Sequence, residues 1–443
     1  MENSASGKIQ REANSSIKNE NIEIQEESRT SSGNENQNKQ LVNDIETKLK
    51  MLEFIVPNEC CIYKVPYHLR KWNEEAYTPH VISIGPYHHN KEKFRTTEKH
   101  KVIYFKHFMK RTERNLDDLV STIRKMEDSI QCCYVETVQL KSDDFVEMIM
   151  FDAIFILELF LKSKLGGWPI DDPMIVENWL YGMVMHELLL LENQVPFFVI
   201  EELYHLALPS FSNSLSLIQL TFDLFKNLNI HEKAPNVKIQ HFTDLLRFFE
   251  LPNENELPTR PREVIFPKYS ATQLHEAGVK FEVVSSKCVL DLNFNKGVLK
   301  IPLLDFQDSM EARVRNILAL EQCDPRKPLY FTDFFLILDR LVNTTTDVDL
   351  LSEKGIVVKS HGDNNVVTFI INNLNRGIFR VDMNKNYCDL CKALNAFYEL
   401  RWHRWKALLR YQYFSSPWRS ASTIAAIILL VLTLIQTIFS IIK

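Results

Sequence analysis

The chain has 443 residues, of which 45% are hydrophobic and 25% are charged, and its formal net charge is −5. This balance excludes a wholly disordered, collagen-like or low-complexity chain, and the acidic net charge gives no support to general nucleic-acid binding. Glycine is scarce, with 11 residues, which disfavours glycine-rich phosphate loops and favours a mainly helical fold.

The N-terminal residues 1–47 are predicted to form a disordered polar tail. Residues 1–40 contain no aromatic residue and are rich in Asn, Ser, Glu and Lys. Such a segment cannot bury enough apolar area to offset the conformational entropy lost on folding. The globular part is predicted as one large domain over residues 48–414, with a helical half at 48–250, a loop and small sheet at 251–307, and a second helical half at 308–414.

The first half of this domain has the spacing of helices. From about Thr97, apolar residues recur every three or four positions, which predicts one apolar helical face made by Val102, Phe105, Met109, Leu116, Leu119 and Ile123. A second helix is predicted to begin at Ser142, a good N-cap residue, and to continue through 145–161. This segment is apolar nearly all round but contains three acidic residues, so a central core helix fits better than a membrane span.

A change of period then predicts a small sheet. Residues 252–268 carry four prolines and are predicted to form a loop. Beyond them Val279, Phe281 and Val283 alternate with polar neighbours, and the alternation recurs around Leu292 and again after Gly297. Helices are predicted to return at 310–323, 333–342 and 388–413. The fold class is therefore mainly α with a small antiparallel β meander and a C-terminal single transmembrane helix.

The eight cysteines favour neither disulfides nor a metal site. Four of them form two pairs of sequence neighbours, which cannot easily bridge to each other, and the N-terminus lacks the apolar stretch of a signal peptide. Cys388 and Cys391 form the only C-x-x-C motif, and zinc would need two further ligands at suitable spacing. Reduced and mostly buried thiols are predicted.

The C-terminal residues give the strongest physical signal in the sequence. Ser420 to Ile442 is a run of 23 residues without a charge, long enough at about 1.5 Å per residue to cross a hydrocarbon core of about 30 Å. A transmembrane helix over 420–442 is predicted, and a buried core helix is the alternative. The residues assigned to the membrane interface are Trp402, Arg404, Trp405, Arg410, Tyr413, Trp418 and Arg419.

The charge distribution predicts a tail anchor with the globular part in the cytosol. Residues 401–443 contain six basic side chains and no acidic ones, and only Lys443 lies beyond the span. The positive-inside rule therefore places the body on the cytosolic side, and the plasma membrane is favoured over endomembranes. The same stretch resembles a nucleic-acid patch, but its position beside the span makes the lipid bilayer the expected partner and argues against nucleic acid.

Four polar residues of the predicted span lie on one helical face. These residues are Thr433, Gln436, Thr437 and Ser440. Polar residues within a span often form hydrogen bonds between helices, which predicts self-association or a membrane protein partner. The alternative, to which we give equal weight, is that one Gln and small hydroxyl residues are simply tolerated there.

No motif of a known chemistry is present. The sequence contains no G-x-S-x-G elbow and neither of the two glycine-rich nucleotide fingerprints. His186 and Glu187 open like the zinc motif H-E-x-x-H, but Leu190 takes the place of the second histidine. His88 and His89 could offer metal-binding or proton-transfer groups, although neighbouring residues of an extended segment point to opposite sides.

A polar cluster of Glu192, Asn193 and Gln194 precedes Pro196 between two apolar segments. It could bind a ligand, but capping of helix ends explains it more simply. No catalytic, cofactor-binding or metal-binding residue is assigned.

Several short blocks occur in a fixed order along most of the chain. In order, they are Ile62-Tyr63-Lys64-Val65-Pro66, Ala76-Tyr77-x-Pro79, Ser83-Ile84-Gly85-Pro86-Tyr87-His88-His89, Asp144-Phe145-Val146-Glu147-Met148, Glu192-Asn193-Gln194-Val195-Pro196-Phe197-Phe198, Glu276-Ala277-Gly278-Val279-Lys280-Phe281, Arg315-Asn316-Ile317 with Glu321-Gln322-Cys323, and Tyr413-Phe414-x-x-Pro417-Trp418. Together they resemble the plant family called domain of unknown function 247. One departure is Asn90, where the family pattern leads us to expect glycine.

The resemblance implies a membrane-associated plant protein with a mainly helical fold and offers no catalytic residues or cofactor to transfer. Some grass members of the family are linked to pollen–stigma self-incompatibility, which suggests recognition or signalling through an unidentified protein partner. The function predicted from the sequence is a membrane-anchored, non-enzymatic interaction protein. The alternative is an enzyme of unrecognised type that uses His88, His89 or the cluster of Glu192, Asn193 and Gln194.

Overall fold

The computed structural model describes residues 38–46, 60–112, 114–209, 214–284, 288, 291–307, 309–359, 363–400 and 417–442. The chain divides into two units, Met1–Pro57 and Asn58–Lys443. In the first unit, residues 38–46 form a helix (α1) in which every side chain is exposed. The tail predicted to be disordered over residues 1–47 is thus helical over these nine residues, and the rest of that prediction lies outside the described residues.

The second unit is mainly helical. Its helices are α2 Tyr67–Arg70, α3 Arg95–Thr112, α4 Leu116–Cys132, α5 Ser142–Leu165, α6 Pro173–Val176, α7 Asn178–Glu187, α8 Phe197–Ala207, α9 Leu217–Leu224, α10 Phe242–Glu250, α11 Ala271–Ala277, α12 Met310–Cys323, α13 Tyr330–Leu341, α14 Thr345–Glu353, α15 Asn364–Leu374, α16 Lys385–Glu399 and α17 Pro417–Ile442. Short 3-10 turns lie at Glu75–Tyr77, Pro86–His88, Glu92–Phe94 and Glu254–Glu256.

Helix α5 is the centre of the core, as the sequence predicted. Its side chains from Phe145 to Lys162 are almost all buried, and it packs against α3, α4, α8 and α9. The expected N-cap was wrong by one position. Lys141 is the N-cap, and Ser142 is the first helical residue, whose hydroxyl donates to the Glu127 carboxylate at 2.7 Å.

The helical pattern that begins near Thr97 forms two helices, α3 and α4, and the predicted apolar face is partly right. Leu119 and Ile123 of α4 are fully buried, and Phe105 and Met109 of α3 pack partly buried against the core. The residues that α3 buries are Thr97, Lys101, Tyr104 and Phe108. Val102, which was placed on that face, is 41% exposed. The error arises because Lys101 is buried as an ion pair with Asp152 of α5, an arrangement that hydrophobic spacing does not show.

Two small sheets replace the predicted antiparallel meander. β2 (Asn293–Asn295) and β3 (Val298–Ile301) form the expected hairpin around Gly297, but β1 (Lys280–Val283) pairs with β3 in parallel. β3 is therefore the central strand of the first sheet. The second sheet pairs β4 (Leu304–Phe306) in parallel with β5 (Val357–Lys359), across the helices α12 to α14.

The second helical half follows the sequence prediction closely. Helix α12 has the predicted bounds and packs against α10 and α13. Helix α14 ends before Gly355, whose positive φ of 70° stops it as expected. Helix α16 ends at Glu399, and the rest of the helix predicted over 388–413 lies outside the described residues. Six of the eight cysteines are buried, and Cys132 and Cys323 are partly buried.

Candidate functional site

Helix α17 presents an apolar surface from Trp418 to Ser440. The 23-residue stretch Trp418–Ser440 is long and apolar enough to cross a membrane by length and composition, and none of it is buried against the rest of the protein. Trp418 is 86% exposed, and Arg419 lies beside it in the first turn of the helix. The other predicted interface residues, Trp402, Arg404, Trp405, Arg410 and Tyr413, lie outside the described residues.

The polar face of α17 is less available for bonding than its composition suggests. The Thr433 hydroxyl donates to the Leu429 carbonyl, and the Thr437 hydroxyl donates to the Thr433 carbonyl, both at 2.8 Å. Because each hydroxyl has one proton, neither threonine has a donor left for a second helix. Gln436 and Ser440 are exposed on the same face, and the side-chain amide of that face is the one of Gln436.

The predicted polar cluster lies in the protein interior, around the carboxylate of Glu192. Its Oε1 accepts from the backbone N–H of Val65 at 2.7 Å and forms an ion pair with Arg70. Its Oε2 lies 3.1 Å from His88 Nε2, and Lys91 Nζ lies 2.8 Å from His88 Nδ1. Lys91 can only donate, so Nδ1 accepts and the His88 ring is neutral with its proton on Nε2.

The pKa shifts of this cluster agree with that assignment. Burial lowers the pKa of His88 and outweighs the opposing hydrogen bond to Glu192. Burial also raises the pKa of Glu192, but the hydrogen bonds from His88 and Arg70 outweigh it and leave the pKa below its usual value. The pair is therefore an ionised carboxylate and a neutral imidazole, held apart from solvent.

The residues next to Glu192 hold the backbone of the N-terminal blocks. Asn193 Oδ1 accepts from the N–H of Ile84 at 2.7 Å, and its Nδ2 donates to the Glu187 carbonyl. Gln194 Nε2 donates to two carbonyls at the end of α7, and its Oε1 accepts from the N–H of Phe242 at 3.0 Å. The simpler prediction, that these amides satisfy backbone groups at a helix break, is confirmed.

A second carboxylate likewise accepts hydrogen bonds from the backbone, here that of the extended segment 80–82. The buried Glu187, at the end of α7, accepts from three successive backbone N–H groups, those of His80, Val81 and Ile82, at 2.6 to 3.1 Å. Glu187 is thus a structural anion and not part of a zinc site. Across the described residues, no group of three or more His, Cys, Asp or Glu side chains is arranged to hold a metal ion.

The family blocks of the second half make the same kind of contact. Asn316 Oδ1 accepts from the N–H of Leu191, and its Nδ2 donates to the Ala76 carbonyl at 2.7 Å. Glu321 accepts from Arg247 and from the N–H and hydroxyl of Thr332. Five separate blocks therefore meet inside the protein and join its two halves, three of them through side chains and the blocks that begin at Ile62 and Ala76 through backbone groups.

His89 lines a cavity of about 330 Å³ that His88 does not line, although the two residues end a 3-10 turn and do not lie on the extended segment that was assumed. The floor of this cavity contains the buried pair of Lys101 and Asp152, whose atoms Nζ and Oδ1 are 2.6 Å apart. Burial raises the pKa of Asp152 to about 6, despite the opposing effect of Lys101. Asn90 beside it has φ 60°, which explains how asparagine replaces the glycine expected there.

A larger open cavity of about 630 Å³ lies between the segment 73–80, helix α7, the end of α9 and the start of α12. His80, His186 and Arg313 line it together with apolar side chains. Burial lowers the pKa of His186, and the charges of Arg313 and His80 lower it further. The sequence showed His186 only as part of a failed zinc motif.

Sequence reasoning missed Arg70, Lys101 and Arg313. No local motif identifies them, since their contacts depend on segments distant in the chain. Lys101 offered a signal in hindsight, because it occupies a position three residues before Tyr104 and seven before Phe108 on the buried helical face.

Comparison with known proteins places these features in a family. The family DUF247, described as plant protein of unknown function, matches residues 62–432. The UPF0481 protein At3g47200 of Arabidopsis thaliana is 30% identical over 430 residues, which cover 89% of this chain and 88% of that protein. The putative UPF0481 protein At3g02645 of the same plant is 22% identical over 482 residues, covering 85% and 89%. No solved structure matches the chain significantly.

Proposed function

The chain belongs to the plant protein family DUF247, and from that premise we propose that it is a membrane-anchored, non-enzymatic interaction protein. Helix α17 is the anchor, the helical body lies in the cytosol, and the body presents a surface for a protein partner in recognition or signalling. The plasma membrane is the proposed location.

The exposed apolar surface of α17 is the observation that supports the anchoring role. The stretch Trp418–Ser440 exposes its apolar side chains on all sides, for example Leu430 at 70% and Phe439 at 69%. An exposed apolar surface of this extent is rare in a water-soluble monomer and marks a membrane or protein contact. Its length matches a hydrocarbon core of about 30 Å, which favours the bilayer as the contact.

The geometry around Glu192 supports a non-enzymatic role. The polar atoms of Glu192, Asn193 and Gln194 bond to backbone groups, to Arg70 or to His88. His88 is only 4% exposed and uses both ring nitrogens within the protein. A general acid or base must reach a substrate proton, and these side chains have no free position from which to do so.

Fractionation of plant cells tests the anchor. The full chain and a variant lacking residues 420–443 are expressed with the same N-terminal tag, and membranes are washed with alkaline carbonate. We expect the full chain to stay in the membrane pellet and the shortened chain to become soluble. A variant with Leu429, Leu430 and Leu432 changed to Lys keeps the length of the helix and should also leave the membrane.

Protease protection of the tag tests the orientation and the partner surface. In sealed vesicles with the cytosolic face outward, the N-terminal tag should be digested while marker proteins of the lumen survive. Proximity labelling from the same tag should then yield reproducible protein neighbours that the soluble variant does not label. A shortened chain that stays in the pellet, or a protected tag, contradicts the proposal.

A further inference from the structure

The open cavity at α7 has the size and lining of a small-molecule site. Its volume of about 630 Å³ lies within the range of about 300–1,000 Å³ typical of such sites. Two methionines contribute to its wall, and their flexible side chains adapt easily to a ligand. The apolar lining consists of Met183, Met185, Leu189, Leu190, Phe225 and Leu228.

Arg313 gives this apolar cavity one positive charge. It lies in the first turn of α12, and within the part of the chain that the structure describes it forms no ion pair. Its Nε is buried and has no hydrogen-bond acceptor among the described residues. Because the Nε itself is enclosed by protein, a ligand in the cavity would bind the terminal N–H groups of the guanidinium, which form no hydrogen bond with any other described residue.

No carboxylate of the surrounding walls forms an ion pair with Arg313 within the described residues. Glu187 is occupied by backbone N–H groups, and Glu311 accepts from Asn73 and from Arg315. Glu75 is exposed at the rim. The charge of Arg313 lowers the pKa of the nearby Glu250 carboxyl. Burial has the larger effect and raises the pKa of Glu250 to about 7.

Gly182 keeps part of the cavity open. It lies within α7 and lines the cavity, and a Cβ added to it would meet no heavy atom within 4 Å. Glycine is a poor helix former, and the backbone here does not need its freedom because φ is not positive. We therefore expect a larger side chain at this exposed lining position to reach into the cavity.

We propose that this cavity binds a small organic acid with an apolar body, whose carboxylate pairs with the Arg313 guanidinium while the body packs against the apolar wall. The planar guanidinium offers paired donors that match a carboxylate, a geometry that a neutral ligand does not use. The binding is separate from membrane anchoring, since it uses only the body of the protein.

Calorimetry on the full chain in lipid nanodiscs tests the site, with empty nanodiscs subtracted. The probes are 4-phenylbutanoate and 4-phenylbutan-1-ol, which share the apolar body and differ in the charged group. We expect the acid to saturate one site per chain and to bind at least about tenfold more tightly than the alcohol, as befits a hydrogen bond to a charged group. The absence of saturable acid binding, or equal binding of both probes, overturns the proposal.

Two substitutions and one control locate the binding. Arg313→Gln should reduce acid binding to the level of the alcohol while leaving the alcohol unchanged, which also shows that the variant is folded. Gly182→Leu should abolish binding of both probes with unchanged thermal unfolding. Arg262→Gln, at an exposed position outside the cavity, should change neither. Retention of the acid preference in Arg313→Gln, or of full binding in Gly182→Leu, overturns the proposal.

Discussion

The Nε2 atom of His88 donates a hydrogen bond to the carboxylate of Glu192 at 3.1 Å, and both side chains are buried. The two residues are 104 positions apart in the sequence. Each belongs to a family block, and their contact closes the N-terminal segment onto the break between α7 and α8. A neutral imidazole and a carboxylate are typical catalytic groups, but here they hold two distant segments of the chain together.

Glu192→Gln should therefore destabilise the protein strongly. The substitution removes the buried anion of the Arg70 guanidinium, which is 16% exposed and keeps only a 3.7 Å contact with the exposed Glu74. Loss of one partner of a buried ion pair costs about 3 kcal/mol. Denaturant unfolding of the detergent-solubilised chain, followed by circular dichroism, measures the change. Glu136→Gln is the matched control, because the Lys64–Glu136 pair is about half exposed and its loss should cost less than about 0.5 kcal/mol. Equal losses in the two variants would contradict the assignment.

Gly85→Ala should be among the most damaging single-methyl changes in the chain. Gly85 has φ 74°, and an added Cβ would lie 2.3 Å from the carbonyl oxygen of Gln194. Backbone strain and the clash together should reduce the free energy of unfolding by about 3–5 kcal/mol. Gly355 has a similar φ of 70° but open space around it, so Gly355→Ala should cost only about 1–2 kcal/mol. The difference between the two measured losses isolates the steric contact, and a difference near zero would disprove it.

His241 should make the protein less stable in acid. It is fully buried, its Nε2 donates to the Cys61 carbonyl at 3.0 Å, and its Nδ1 caps α10. Burial lowers its pKa from 6.5 to about 4, so the unfolded chain binds the proton first. The stability is therefore complete above about pH 6.5 and is lost as the pH falls toward 4, by up to about 3 kcal/mol.

The measurement is the free energy of unfolding at several pH values between 4 and 7.5. His241→Asn keeps a capping side chain but cannot titrate, so its stability should fall less steeply than that of the original chain over this window. His205→Asn, at an exposed position of α8, serves as the control and should leave the slope unchanged. Parallel pH profiles for the original chain and His241→Asn would rule out this role.

Any self-association through α17 should depend on Gln436 and not on its threonines. The hydroxyl protons of Thr433 and Thr437 are already bound to backbone carbonyls, whereas the Gln436 amide has two N–H donors. Gln436→Leu should weaken the dimer about fivefold or more, since a hydrogen bond between membrane helices contributes about 1–2 kcal/mol. Cross-linking in membranes at graded expression levels measures this, with Thr433→Val as the control. A dimer lost in Thr433→Val but kept in Gln436→Leu would reverse the assignment.

The parts of the fold that depend on local chemistry could be predicted from the sequence. The long apolar run of α5, the bounds of α12 and the stop at Gly355 follow from helix periodicity and glycine conformation. Pairing across the chain could not be predicted. The alternating strands gave no information on strand order, and β1 pairs in parallel with β3 on the side opposite to β2.

The candidate site also has features that the sequence predicts and features that it does not. The apolar C-terminal helix was evident from composition, but the single charge of the cavity was not. Arg313 is one of several arginines in the sequence, and only the arrangement of α7, α9 and α12 around it leaves its Nε without an acceptor. Likewise Glu192 was recognised as polar and noteworthy, while its partners Val65 and Arg70 lie more than a hundred residues away.

The long-range contacts of the N-terminal segment also constrain the order of events during folding. Residues 60–94 contain little regular structure, and their backbone groups bond to side chains as distant as Asn316 and Arg326. Closing loops of this length is slow because the entropy is lost before the contacts form. On the ribosome, the bond between Ala76 and Asn316 can therefore form only after 240 further residues have been synthesised, and the bond between Cys60 and Arg326 only after 266.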